Sequence, residues 1–245
     1  MATASYPKSY FQRIREGSRT SAREILPIVL ELIRPRSAID VGCGLGTWPA
    51  VLLDLGVQDV VGVDGPYVDK KMLAIPPEQF LPFDLTQKFR LDRTFDLVIS
   101  LEVAEHLPRD CAQTFVESLA ALGPVVLFSA AIPFQGGEHH RNEQWPDYWA
   151  DLFEARGFAT VDCLRKHLWR NSRVEWWYTQ NILLFARRDY VERNELLRGE
   201  LEKSPPKQLS IVHPECYLAA ADPRRMGLGK LLSALPFAIL YSLRR

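Results

Sequence analysis

The feature that most restricts this chain is a glycine cluster placed where a buried strand gives way to a helix. Ala38-Ile39-Asp40-Val41 is a short apolar run holding one carboxylate, and Gly42-Cys43-Gly44-Leu45-Gly46 follows it without a spacer. Trp48 to Leu55 then carries apolar residues at helical spacing and stops at Gly56. Strand, glycine turn and helix in that order open an α/β unit, because parallel strands need a long crossover and a helix is the usual one. Glycines at the turn let the backbone approach a ligand with no Cβ in the way. In open α/β sheets the ligand sits in the crevice beyond the carboxyl ends of the strands.

The rest of the pattern extends that unit. Ser21 reads as the N-cap of a helix that carries Ile25, Ile28, Val29, Leu32 and Ile33 and ends before Pro35. Buried-strand runs recur at residues 60–63, 80–85, 95–101 and 125–131, with a helix predicted over about 110–122. A helix near 147–156 and strands near 161–164 and 181–186 complete the series. Continuous apolar strands alternating with helices predict a mainly parallel sheet covered on both faces. Residues 1–187 are expected to form one domain, with a helical cap over about 1–35, and residues 188–245 a C-terminal helical annex. In that annex 189–203 reads as a charged helix, broken at Ser204-Pro205-Pro206.

Two positions narrow the ligand. A dinucleotide fingerprint G-x-G-x-x-G would need glycine at position 47, where this chain has Thr47. Asp64 ends the second strand, where a carboxylate can accept two hydrogen bonds from a ribose diol. With Asp40 ahead of a G-x-G-x-G turn and an acid ending strand two, residues 18–187 resemble the class I S-adenosylmethionine (SAM)-dependent methyltransferases. The resemblance implies a Rossmann-like α/β fold, a mostly parallel seven-stranded sheet with helices on both faces, and SAM as cofactor. Gly42, Gly44 and Gly46 would line the methionine and ribose of SAM, Asp64 would hold the ribose hydroxyls, and Asp84 with Leu85 would meet the adenine. Asp40 would hold the turn or the SAM amino group, and Glu102 would contact SAM or the acceptor. The family's fourth motif, D-x-V near the acceptor, is matched by Asp96-Leu97-Val98. The E-H-L ending of Leu101-Glu102-Val103-Ala104-Glu105-His106-Leu107 resembles many small-molecule methyltransferases, and the run from Asn142 to Trp149 resembles a bacterial subgroup associated with glycan or natural-product pathways.

Methyl transfer from a sulfonium is an in-line displacement that needs little covalent machinery. Proximity and alignment reach about 7 to 11 kcal/mol in favourable intramolecular systems, and a general base adds about 10² to 10⁴-fold for a hydroxyl acceptor. Histidine titrates in the useful range. His140 is the first candidate base and His139 the second, both on the segment after strand five, while His106 follows strand four. Glu102, His106, Glu138, His139 and His140 are of metal-ligating type, but no spacing marks a metal site and none is expected. The expected reaction is O-methylation of a small molecule or saccharide. N-methylation of a small molecule and a non-catalytic SAM- or nucleotide-binding protein of the same fold are the alternatives.

Composition bounds the partners. Thirty basic and thirty acidic side chains give zero net charge, which argues against a nucleic-acid partner. The four cysteines form no C-x-x-C pair, so free thiols and a cytoplasmic location are expected. Trp145, Trp149, Trp169, Trp176 and Trp177 read as core or as an acceptor wall, with Arg165, Lys166, His167, Arg170 and Arg173 placed to receive an anionic group. Leu228, Leu231, Leu232, Leu235, Ile239 and Leu240 recur at helical spacing between arginine pairs, which suits packing on the domain or on a partner chain, or peripheral contact with a membrane.

Overall fold

In the computed structural model, which describes residues 8–204, 208–225 and 227–243, the expected strands assemble around the one before the glycine turn. The chain runs α1 (Lys8–Ile33), β1 (Ser37–Val41), α2 (Thr47–Asp54), β2 (Asp59–Asp64), β3 (Phe80–Pro82), β4 (Leu97–Leu101), α3 (Ala112–Leu122) and β5 (Val125–Ser129). It continues through α4 (Pro146–Glu154), β6 (Phe158–Val161), α5 (Arg165–Leu168), α6 (Trp176–Asn181), β7 (Leu183–Arg187), α7 (Arg188–Arg193), α8 (Glu195–Lys203), α9 (Pro214–Ala221) and α10 (Leu228–Leu243). Seven strands lie in the order β3-β2-β1-β4-β5-β7-β6. All neighbours are parallel except β7, which runs antiparallel to both β5 and β6. From β1 the chain builds outward to β3 and then returns to the other side of β1 as β4. That reversal opens a crevice at the carboxyl ends of β1 and β4.

Because successive strand residues face opposite sides, the apolar runs feed two cores. Ala38, Val60, Leu97, Ile99 and Leu127 pack with Ile25, Leu26 and Val29 of α1 and Val51 and Leu52 of α2. Ile39, Val41, Val63, Val98 and Phe128 pack with Phe115 and Leu119 of α3 and Phe153 of α4. Phe153 stacks on Phe185 with centroids 4.1 Å apart. Each such side chain contributes about 1.5–3 kcal/mol when fully buried, which is what holds helices on both faces.

Several expectations shift. Ser21 is not an N-cap: α1 already runs from Lys8, and the buried Ser21 Oγ instead accepts the Glu175 N–H at 3.0 Å. The third strand stops at Pro82, because the Asp84 carboxylate turns the chain by accepting the Thr86 N–H at 3.0 Å and its hydroxyl at 2.8 Å. The sixth strand starts three residues early, straight after Gly157, whose φ of +80° ends the preceding turn. Asp96 lies at the amino end of β4, where Oδ2 accepts the Arg36 and Ser37 N–H groups at 2.8 and 3.1 Å. It ties β4 to the start of β1, on the sheet edge opposite the crevice, and so is not near an acceptor.

After β7, Val191 and Leu197 enter the α1-side core. Asn194 caps α8 by accepting the Leu197 N–H at 3.0 Å and donates to the Leu32 carbonyl at 2.9 Å. Arg165 is buried and donates to Asp162, the Gln180 carbonyl and the Leu209 carbonyl, so it is a clasp between segments and not an anion receptor. Along α10 the side chains from Leu228 to Leu243 are largely exposed. Among the described residues no helix is long and apolar enough to cross a membrane.

Candidate functional site

The glycine turn is built by its lack of side chains. Gly42 has φ +92°, and a Cβ there would stand 2.2 Å from Val103 Cγ2. Its N–H and that of Cys43 donate to the Val63 carbonyl at 2.7 and 3.1 Å, folding the turn over the end of β2. The Gly44 N–H donates to Asp64 Oδ2 at 2.6 Å, and Gly46, at φ +77°, caps α2. Asp64 Oδ1 accepts the Gly65 N–H and the Tyr67 hydroxyl, both at 2.6 Å. The carboxylate is thus aimed by two backbone donors and carries a hydroxyl on its open side, the kind of group a ribose diol would present. Asp40 is buried; burial first, and the charge of Asp64 second, hold its carboxyl well above the usual range.

A cleft of about 560 Å³ opens there, within the usual range for small-ligand sites. Its walls bring Gly42, Asp64, Asp84, Leu85, Glu102 and His106 together, with Tyr67, Thr86, Val103 and Leu107 between them. Gly44 and Gly46 stay in the turn, and Asp40 lies in β1 beneath it. The chemistry fits SAM: a Cβ-free edge, a buried carboxylate for a diol, and apolar Leu85 and Val103 for a base or thioether arm. Asp84 is exposed, and its hydrogen bonds from Thr86 hold its carboxyl below the ordinary value.

The opposite wall is made of side chains. Glu102 sits just past β4 at φ +55°, a conformation that costs a non-glycine residue about 1–3 kcal/mol. Its N–H donates to the Ser129 carbonyl at 3.0 Å, and its carboxylate accepts from Asn181 Nδ2 at 3.1 Å and Gln135 Nε2 at 3.3 Å. Burial raises its pKa. Glu105 is completely buried beside Glu102, and burial first, with the charge of Glu102 second, holds its carboxyl well above the usual range against the backbone N–H groups of Glu105 and Ala131. Its backbone carbonyl accepts the Arg141 and Asn142 N–H groups at 2.7 and 3.0 Å, drawing the segment after β5 against the end of β4.

That draw brings His140 to His106, edge to face with centroids 4.8 Å apart. His140 Nδ1 meets Glu143 Oε1 at 2.9 Å, and Glu143 is held by the Phe134 and Gly136 N–H groups at 2.8 and 2.9 Å. Desolvation first, then the charge of His140, lowers the His106 pKa from its ordinary value. His139 and Glu138 are exposed on the same segment. Reading the sequence alone missed Glu105, Gln135, Glu143 and Asn181 as site residues. For Glu105 a signal was present, since two acids three apart followed by a histidine is an unusual run just past a strand; for Gln135 and Asn181 there was none.

The comparisons with known proteins agree with this geometry. The methyltransferase domain family matches residues 11–171. A search of curated proteins finds no match. Among solved structures, the magnesium protoporphyrin IX methyltransferase ChlM of Synechocystis PCC 6803 with bound SAM superposes with a TM-score of 0.53 at 20% identity, covering 76% of this chain and 86% of its own. The methyltransferase domain of bacterial CtHen1 gives 0.51 at 18%, covering 68% and 98%. Streptomyces venezuelae DesVI gives 0.53 at 16%, covering 73% and 96%. These likenesses establish a shared fold, and the family match, spanning most of the sheet and every residue lining the cleft, establishes kinship: the chain belongs to the class I SAM-dependent methyltransferases.

Proposed function

We propose that the protein transfers the methyl group of SAM to a hydroxyl oxygen of a small molecule or saccharide. The observation that carries this reading is the His106–His140 pair, backed by Glu143 and placed where Glu102 joins the cofactor cleft. A hydroxyl is a poor nucleophile until its proton is withdrawn, whereas a neutral amine attacks with its own lone pair. An imidazole oriented by a carboxylate is suited to that withdrawal. When bound, SAM supplies a methyl on a sulfonium for in-line displacement, and the cleft holds it beside this pair. His140 leads as the proton-handling group, with His106 next to it and His139 at the exposed edge. Zero net charge favours a small acceptor over a nucleic acid. Four cysteines outside any disulfide suit a reducing compartment such as the cytoplasm.

The test is incubation with SAM carrying a ¹³C-methyl group and a panel of sugar and natural-product hydroxyls and amines. Carbon NMR of the product shows which atom received the label. Labelled methyl ethers are expected; label found only on nitrogen overturns the oxygen reading.

A further inference from the structure

We propose that α10, together with the arginines beside it, docks the protein onto an anionic lipid bilayer, with the helix immersed in one leaflet. The helix carries a single charged residue, Lys230. Its large apolar side chains are all exposed, from 36% at Leu231 to 78% at Leu243. Elsewhere among the described residues exposed apolar side chains stand mostly apart in the chain, as Leu55, Phe134 and Leu196 do. Such scatter is ordinary for a protein surface, whereas a contiguous apolar patch marks an interaction site.

The shape of the patch decides what can cover it. At 3.6 residues per turn, Leu228, Leu231, Leu232, Leu235, Ile239 and Leu243 fall on one side of the helix, and Phe237, Leu240 and Tyr241 fall on the others. A helix that is apolar around its whole circumference has to be enclosed. A second copy of the chain would pack on one stripe and leave Phe237, 74% exposed, facing water. A hydrocarbon layer surrounds every side at once. The helix has 16 residues, which at about 1.5 Å each make about 24 Å, short of the roughly 30 Å of bilayer hydrocarbon. Basic pairs flank it on both sides, Arg224 and Arg225 before and Arg244 and Arg245 after. A helix too short to span, with both ends drawn to headgroups, keeps both ends at the same membrane face.

Charge names the kind of lipid. Residues 223–245 hold Arg224, Arg225, Lys230, Arg244 and Arg245 and no acidic residue. The whole chain has zero net charge, so the part before this segment is net negative. An anionic surface therefore attracts the segment and repels the rest, which sets the side of the protein that meets it. Arg224 pairs with Asp222 and Arg225 with Glu215, both through exposed guanidinium groups. Ion pairs of that kind contribute little, so lipid phosphates can take the place of the carboxylates. None of the residues lining the cofactor cleft comes from α10, and docking is therefore separable from cofactor binding.

The experiment floats the full-length protein through a density gradient with vesicles of phosphatidylglycerol and phosphatidylcholine in equal parts, and with vesicles of phosphatidylcholine alone. Flotation with the anionic vesicles is expected, weakening as salt rises. Leu232→Glu and Leu235→Glu should each lower the partition coefficient about tenfold or more. Arg224→Ala and Arg225→Ala should each lower it about fivefold on anionic vesicles and leave the weak binding to neutral ones unchanged. Phe237→Trp should add emission that lipids brominated on their acyl chains quench. SAM binding by each variant serves as the check that it is folded. Absence of flotation with anionic vesicles overturns the proposal, as does flotation that Leu232→Glu and Leu235→Glu leave unchanged. Equal flotation with both vesicle types would refute the anionic preference, and a Phe237→Trp emission that brominated chains leave untouched would refute immersion. A lipid-free dimer dissolved by the same two leucine variants, with no flotation of the wild type, would assign the surface to a second copy instead.

Discussion

The two walls of the cleft are built on different principles. The wall proposed for the cofactor, at the ends of β1, β2 and β3, is mostly backbone: a glycine turn, two N–H groups aiming Asp64, and an Asp84 turn. The wall proposed for the acceptor, past β4 and β5, is mostly side chain: Glu102, Glu105, His106, Gln135, His140 and Asn181, drawn from segments up to 79 residues apart in the chain. A backbone site binds one common molecule in a family, because its geometry follows from the sheet. A side-chain site can be changed one residue at a time. The two walls should therefore fail separately.

The sharpest break is His140→Ala. It removes the Glu143-backed imidazole and leaves the glycine turn and Asp64 untouched. Turnover should fall by about 10² to 10⁴-fold, while the SAM dissociation constant measured by calorimetry stays within a factor of about two. Equal loss of SAM affinity would show that the walls are one structure. The converse variant is Asp64→Ala, which deletes the acceptor for the Gly44, Gly65 and Tyr67 donors. Hydrogen bonds to charged groups contribute about 1.5–3 kcal/mol each, so losing the ribose contact and the ordered turn should raise the SAM dissociation constant about 100-fold. Saturating SAM should then restore much of the turnover. A variant that stays inactive under saturation would refute the separation.

The pH profile sharpens the comparison on the acceptor side. His106 has its pKa lowered by burial, so the neutral ring persists below the ordinary histidine value of 6.5. Were His106 the group that takes the proton, turnover at saturating SAM would hold down through that value and fall only at lower pH, as the ring protonates. A fall centred at or above 6.5 would show that His106 is not the group being titrated.

The same contrast explains what the sequence disclosed. The cofactor wall is local: Asp40, Gly42, Gly44, Gly46 and Asp64 fall within 25 residues, and their spacing is dictated by the strand–turn–helix geometry itself. The sheet was legible too, since the strands are built on short, mainly apolar runs. Misreadings arose where one residue type serves two roles. Ser21 has N-cap chemistry but sits buried inside α1 as an acceptor for Glu175. Asp96 matches an acceptor-side motif but clasps the start of β1. The acceptor wall depends on non-local packing: Glu105 is buried where the Arg141–Asn142 segment is tied to its backbone carbonyl, which no local pattern encodes. Likewise α10 forms where its spacing predicts, yet only the structure shows its leucines facing solvent.

The smallest expected effect is on stability, and its sign separates the walls again. Burial raises the Glu105 pKa in the folded state above its unfolded value of 4.5. A group shifted in that direction contributes stability that is fully present below the unfolded pKa and is lost as pH rises through the folded one. At neutral pH, without a cation, Glu105 therefore weakens the fold, and Glu105→Gln should raise the melting temperature by about 2–4 °C, the shift that about 1 kcal/mol produces in a chain of this size. The gain should shrink toward pH 4.5, where the wild-type carboxyl is protonated as well. A Glu105→Gln protein less stable than wild type in chelator at every pH would mean that the buried carboxylate is already satisfied within the fold, and the acceptor wall would then be structural where it is read here as chemical.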